Sequence, residues 1–403
     1  MGCTPAARPF TLLACLAVAA AGAGCGGPGP APGHPRATAT RPTAATASPG
    51  TPAVSCAGRV FRRMSMAQRA GQLFIVGLPD GQLSPATAGT ITSHHFGSAQ
   101  FITTTTAGVS GVRGVTRAVQ ALTSPAATAG ARFFIAANQE GGQVQALQGP
   151  GFSAIPAAVD QGREAPGQLQ RQATAWGGEL RAAGVNLNFA PVMDVVPAAT
   201  ASQNQPIGVL HREYGGDPAT VAAHGTAFIR GMARAGIETT AKHFPGLGRV
   251  AGNTDFSSGV TDTVTTRTDP YLASFRAAAG AGVPFVMVAL ATYTRIDRRT
   301  LAVFSPAVVR DMLRSGLGFR GVVVSDDMGA AVAVADVPPG QRAVSFLAAG
   351  GDMITSKYPG PAVAMVKAVL AKAGTDPGFR QTVDAAVLRV LAAKQSAGLL
   401  SCG

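Results

Sequence analysis

The chain has 403 residues, 46% of them apolar, enough to bury a large core in one big domain or in two or three ordinary ones. Its formal charge is +13, yet only 13% of residues are charged and the arginines are scattered. Lacking a basic stripe with interleaved aromatics, it is not expected to bind nucleic acid; attraction to an anionic envelope polymer, or a merely solvated basic face, fits the charge.

In chain order, Arg8 first precedes the apolar run FTLLACLAVAAAGAG, which ends in small residues at Cys25. This is the pattern of a signal peptide over residues 1–24, too short for a membrane span. The small residues before Cys25 resemble a bacterial lipoprotein processing site, so Cys25 is the expected lipidation position. Plain secretion with cleavage nearby is the alternative. Residues 25–55 are rich in Pro, Thr and Ala and carry too few large apolar side chains to order, so they read as a flexible tether. The expected location is extracellular, anchored to the cell membrane. Cys3 and Cys15 leave with the signal peptide, which leaves Cys56 and Cys402 at the two ends of the folded region. They are either unrelated thiols or, in an oxidising compartment, a disulfide clasp, and their placement favours the clasp.

From residue 70 a rhythm repeats: a short apolar run, a loop of special residues, then an amphipathic stretch. The runs are GQLFIVGL, SAQFITT, RFFIAA, VNLNFAPVMDV, IETTAKHF, VPFVMVALATY, GVVVSDD and GGDMITS. Helical patterns such as QLQRQATAWGGELRAAG, PATVAAHGTAFIRGMARAG and SPAVVRDMLRSGLGF lie between them, several ending in Gly. Eight strands alternating with helices predict a closed (β/α)₈ TIM-type barrel over residues 56–403, against a doubly wound open sheet. No G-x-G-x-x-G follows the first strand, which weakens the dinucleotide-binding version of the alternative.

In a barrel, catalytic groups sit at the C-terminal strand ends. Polar residues crowd those ends here: Asn138-Gln139-Glu140 after the third strand, Asp194 after the fourth, Lys242-His243 after the fifth, Asp326-Asp327 after the seventh. A carboxylate ending a run as apolar as GVVV is costly unless paired or used.

The order NQEGGQV, NLNFAPVMDV, HREYGGDP, KHFPGLG and GVVVSDDMG resembles glycoside hydrolase family 3, in particular its single-barrel β-N-acetylhexosaminidases. The resemblance implies a retaining mechanism acting on a carbohydrate, without a cofactor. By motif, Asp326 matches the nucleophile; Lys242, His243 and Arg212 match groups that hold sugar hydroxyls; and Asp327 reads as the N-terminal helper of a following helix. An ion pair with Glu213 or Asp217 is the alternative role for Arg212.

The sequence departs from the family in two places. Where the family writes D-Q-E-G-G-R-V-Q-R, this chain has Asn138, Gln143 and Ala146. Asn138 can still bond a hydroxyl but without charge assistance. Where the family continues K-H-F-P-G-H-G-D-T, two variable residues and D-S-H, whose Asp and His form the acid/base dyad, this chain has Asn253, Thr254 and Asp255. Two accounts follow. Asp255 is itself the acid/base, carried over the substrate by a pliable glycine-rich loop that buries it and so raises its pKa, or the barrel has become a lipid-tethered glycan-binding protein. The intact nucleophile favours the enzyme, and the altered contacts leave a different β-glycoside open. The histidines lack H-E-x-x-H spacing and do not cluster with the cysteines, so no metal site is expected. There is no G-x-S-x-G for a serine hydrolase. The pattern sets no oligomeric state.

Overall fold

The structure, a computed structural model, describes residues 55–401. The expected signal peptide, Cys25, nearly all of the tether and Cys402 lie outside the described residues. Cys56 is disulfide-bonded.

Each of the eight apolar runs contains a barrel strand: β1 Phe74–Leu78, β2 Ser98–Phe101, β3 Phe134–Ala137, β4 Leu187–Asn188, β5 Glu238–Phe244, β6 Phe285–Val288, β7 Val322–Asp327 and β8 Met353–Ser356. Sequential strands pair in parallel around the ring, and β1 closes it on β8, with Phe74 opposite Ile354 and Val76 opposite Ser356. Most of the runs are rich in apolar residues because both faces are covered, by helices outside and packed side chains inside, with buried polar residues such as Ser98, Gln100 and Thr240 among them. Phe134 of β3 and Phe285 of β6, for example, meet edge to face at 5.3 Å.

The helices follow the amphipathic stretches. Pro166–Ala182 and Pro218–Arg234 each start with Pro at the first turn and are followed by Gly184 and Gly236, whose φ values of 79° and 76° suit a residue without Cβ. SPAVVRDMLRSGLGF differs from the expected α-helix. Residues Ala307–Gly316 run as a π-helix, while Val308, Val309, Met312 and Leu313 still bury one apolar face. After β8, among the described residues, come the two helices Pro359–Thr375 and Pro377–Ser396. The last helix lies against the N-terminal end of the barrel: Lys394 Nζ donates to Gly97 O, just before β2, at 2.8 Å, and Arg389 Nε donates to Asp352, just before β8, at 2.7 Å. That end is plugged, so an open site must lie at the opposite end, where the strands terminate.

Candidate active site

At the C-terminal strand ends a cavity of about 290 Å³ is lined by, among others, Asn138, Arg212, Lys242, His243, Asp255 and Asp326. All six site residues expected from the sequence therefore meet in one place, although they come from strand ends and loops spread between β3 and β7.

Their anchor is Glu140, which sequence reasoning left without a role. It sits in a short ribbon after β3, is 5% exposed, and takes both Arg212 Nε and Nη2 at 2.8 Å, one on each oxygen. Lys242 Nζ ion-pairs with the same carboxylate at 2.6 Å. Burial pushes the Glu140 carboxyl up, but Arg212 and Lys242 outweigh it and bring the group down to about 2. Glu140 is thus a fixed anion shared by two buried cations. Arg212 pairs with neither Glu213 nor Asp217; its third anchor is Pro206 O, which accepts from Nη1 at 2.7 Å. Lys242 spends a second donor on Asn138 Oδ1 at 2.8 Å, leaving one of its three N–H groups for a ligand. Burial lowers the Lys242 pKa, while Glu140 works against that fall.

His243 is positioned by Asp194, which is fully buried. Asp194 Oδ2 accepts from the imidazole Nδ1 at 2.7 Å, and Oδ1 accepts from the backbone N–H groups of His243 and Leu247 at 3.1 and 2.8 Å. The carboxylate fixes the proton on Nδ1 and leaves Nε2 for the cavity. The Lys242–His243 and Phe244–Pro245 peptide bonds are both cis.

Asp326 and Asp327 divide their work. Asp327 is buried, and its oxygens accept from the backbone N–H groups of Gly329, Ala330 and Lys357 at 3.0, 3.0 and 2.8 Å. Burial raises its pKa against those bonds. It ties the β7 and β8 loops together rather than starting a helix, since the next α-helix begins only at Pro339. Asp326 makes no ion pair among the described residues, and its one hydrogen bond accepts from Asp327 N at 2.8 Å.

The loop after β5 is not the pliable element its glycines suggest. Buried Asn204 donates to Leu247 O and Val250 O, each at 2.7 Å, and Tyr293 OH donates to Gly246 O at 2.8 Å. Further along, Val332 N and Ala333 N donate to Asp255 O and Thr254 O at 3.2 and 3.1 Å. Gly248 is required by close packing, because a Cβ there would lie 1.9 Å from Val195 O. Nor is Asp255 shut away. Its side chain is 34% exposed and its Oδ2 takes Lys357 Nζ at 3.1 Å. Arg249, in the same loop, pairs with Asp269 at 2.6 Å and stacks on Tyr271 at 3.7 Å, not with Asp255. Burial works to lower the Lys357 pKa, but Asp255, Asp327 and Asp326 around it raise it above the usual lysine range. Lys357, following β8, gave no sequence signal beyond its place at a strand end.

A small cavity with fixed N–H donors on one wall and one uncommitted carboxylate on another suits a neutral, hydroxyl-rich ring; fold and site together define a sugar-processing barrel. The chain belongs to glycosyl hydrolase family 3: the model of that family's N-terminal domain matches residues 65–393. Among similar proteins, a beta-hexosaminidase of Stenotrophomonas maltophilia (strain K279a) is 35% identical over 233 residues, 56% of this chain and 67% of that protein. One from Vibrio cholerae (El Tor Inaba N16961) is 38% identical over 223 residues, 55% and 64% of the two chains. The crystal structure of a beta-N-acetylhexosaminidase from Beutenbergia cavernae DSM 12333 is 47% identical and superposes with a TM-score of 0.81, covering 82% of this chain and 99% of that one.

Proposed function

We propose that the protein is a retaining β-N-acetylhexosaminidase that releases terminal β-linked N-acetylhexosamine from cell-wall or chitin-type oligosaccharides while tethered to the membrane through lipidated Cys25. The observation that carries the activity is Asp326. Of the three carboxylates lining the cavity it alone is neither paired with a cation nor capping a loop. Its oxygen attacks the anomeric carbon and forms an ester as the bond to the leaving oxygen breaks. Lys242, Arg212 and His243 hold the ring hydroxyls against Glu140 and Asp194, so the anomeric carbon is presented in one orientation. Asp255 serves as the acid/base once the incoming substrate loosens its pairing with Lys357 and Oδ1 takes up a proton from solvent; it gives that proton to the leaving oxygen and then takes one from the water that cleaves the ester. Its Oδ1 makes no hydrogen bond among the described residues and is the oxygen available for this exchange. The relatives named beta-hexosaminidase support the choice of sugar, and the run of small residues before Cys25 supports the anchor.

The test is release of chromophore from an aryl N-acetyl-β-glucosaminide. Wild type should turn over and Asp326→Asn should not. Inert wild-type protein that still binds the monosaccharide would favour the glycan-binding reading, to which the missing Asp/His dyad lends its weight. Release of a different β-linked sugar would move the substrate assignment. For the anchor, Cys25→Ala should shift the protein from membrane fraction to medium, and an unchanged distribution would exclude it.

A further inference from the structure

Phe256 is 78% exposed and lines the cavity beside Asp255. Leaving a phenyl ring in water at the rim of a polar site forfeits the burial that places most Phe side chains in a core. Two more of the few large apolar residues exposed on the described surface lie on the segments that hold Asp255. Val332 is 40% exposed and its N–H holds Asp255 O; Tyr358 is 50% exposed and follows Lys357, whose amine holds the Asp255 carboxylate. Loops after β5, β7 and β8 thus each bring an exposed aromatic or apolar residue to the segments that carry or hold the acid/base carboxylate.

We infer that Phe256, with Tyr358 and Val332 on the neighbouring segments that hold Asp255, is a binding platform for the second pyranose ring of the substrate, the one on the leaving side of the scissile bond. The inference rests on the glycosidase reading above. A cavity of about 290 Å³ has room for little more than one N-acetylated ring, so the next ring must lie at the mouth. A β-linked pyranose carries its hydroxyls at the edge and offers C–H bonds on its faces, so a face stacked on an aromatic ring buries apolar surface while the edge stays in water. The pinned backbone of the 247–256 loop presents Phe256 with no backbone left to order at the moment of binding. Seated there, the second ring would hold the leaving oxygen near Asp255.

The experiment compares wild type with Phe256→Ala by two readouts: KM for a β-1,4-linked N-acetylglucosamine disaccharide, and the competitive inhibition constant of free N-acetylglucosamine, which fills only the inner site. The expected result is a KM about five- to tenfold higher for the disaccharide, the range an aromatic contact supplies, with the monosaccharide constant unchanged. Tyr358→Ala should give a smaller change of the same kind. No change in either constant overturns the platform. So does an equal loss in both, which would make Phe256 a wall of the inner site. If wild type hydrolyses nothing, the glycosidase reading has failed separately, and calorimetric titration decides the platform: the disaccharide must bind wild type more tightly than the monosaccharide and lose that margin in Phe256→Ala. A dimer in sedimentation that Phe256→Ala dissociates, with sugar constants untouched, would assign the rim to a second copy of the chain and overturn the proposal.

Discussion

Replacing Glu140 with Gln keeps the shape of the side chain but leaves Arg212 and Lys242 facing a neutral group in a site that water scarcely reaches. The folded carboxyl titrates near 2 against an ordinary 4.5, and at 1.36 kcal/mol per pKa unit the ion cluster is worth about 3 kcal/mol at neutral pH. Breaking a buried ion pair by removing one partner costs about 3–5 kcal/mol in general, which agrees. The sign follows from the depressed folded pKa. The stabilisation is fully present above about pH 4.5 and is lost as pH falls from there through 2, so the gap between wild type and Glu140→Gln should shrink to about 2 kcal/mol near pH 3.5. Guanidinium unfolding of both proteins at pH 7 and pH 3.5 measures the gap at each. A gap below about 1 kcal/mol at pH 7, or one that does not narrow in acid, would refute the reasoning that Glu140 is the charged keystone of the site.

Asp255→Ala should cripple hydrolysis of substrates with poor leaving groups while sparing the glycosylation step of activated aryl glycosides, and azide should then restore turnover where deglycosylation has become limiting; equal loss on both substrate types without rescue would make Asp255 structural. Lys394 is fully buried and its pKa falls to about 7 because burial disfavours the charged amine. Between pH 7 and 10.5 the unfolded chain binds the extra proton, so wild-type stability should rise over that window by up to about 1.4 kcal/mol per pH unit, and thermal melts of Lys394→Met should lack that part of the rise. We propose that Cys402 is the partner of Cys56; titration of the unreduced, unfolded mature protein should then find no free thiol, and two would contradict the pairing.

The barrel was legible in the sequence because its strands are buried on both faces and so write short runs rich in apolar residues, several of them, such as FIVGL and FVMV, wholly apolar. The residues at the strand ends were legible because polar groups there interrupt those runs. Glu140 lay within the motif NQEGGQV, but its importance depends on Arg212, 72 residues away, and Lys242, 102 residues away, and no local pattern reports such a convergence. Two cations expected at one neutral-sugar site could have prompted a search for their counter-ion. The loop after β5 misled for a related reason. Its glycines signal flexibility when read alone, whereas Asn204 and Tyr293, which pin it, come from distant segments. The same holds for Lys357 and Phe256, each unremarkable until the fold sets it beside Asp255.

Trapping with a fluorinated N-acetylhexosaminide that forms its ester rapidly and loses it slowly tests the account at its centre. Peptide mapping of the labelled protein should place the sugar on Asp326, with no label in Asp326→Asn. Label on Asp255 or Asp327, or turnover that never yields a covalent adduct, would contradict the assignment of Asp326 as the nucleophile.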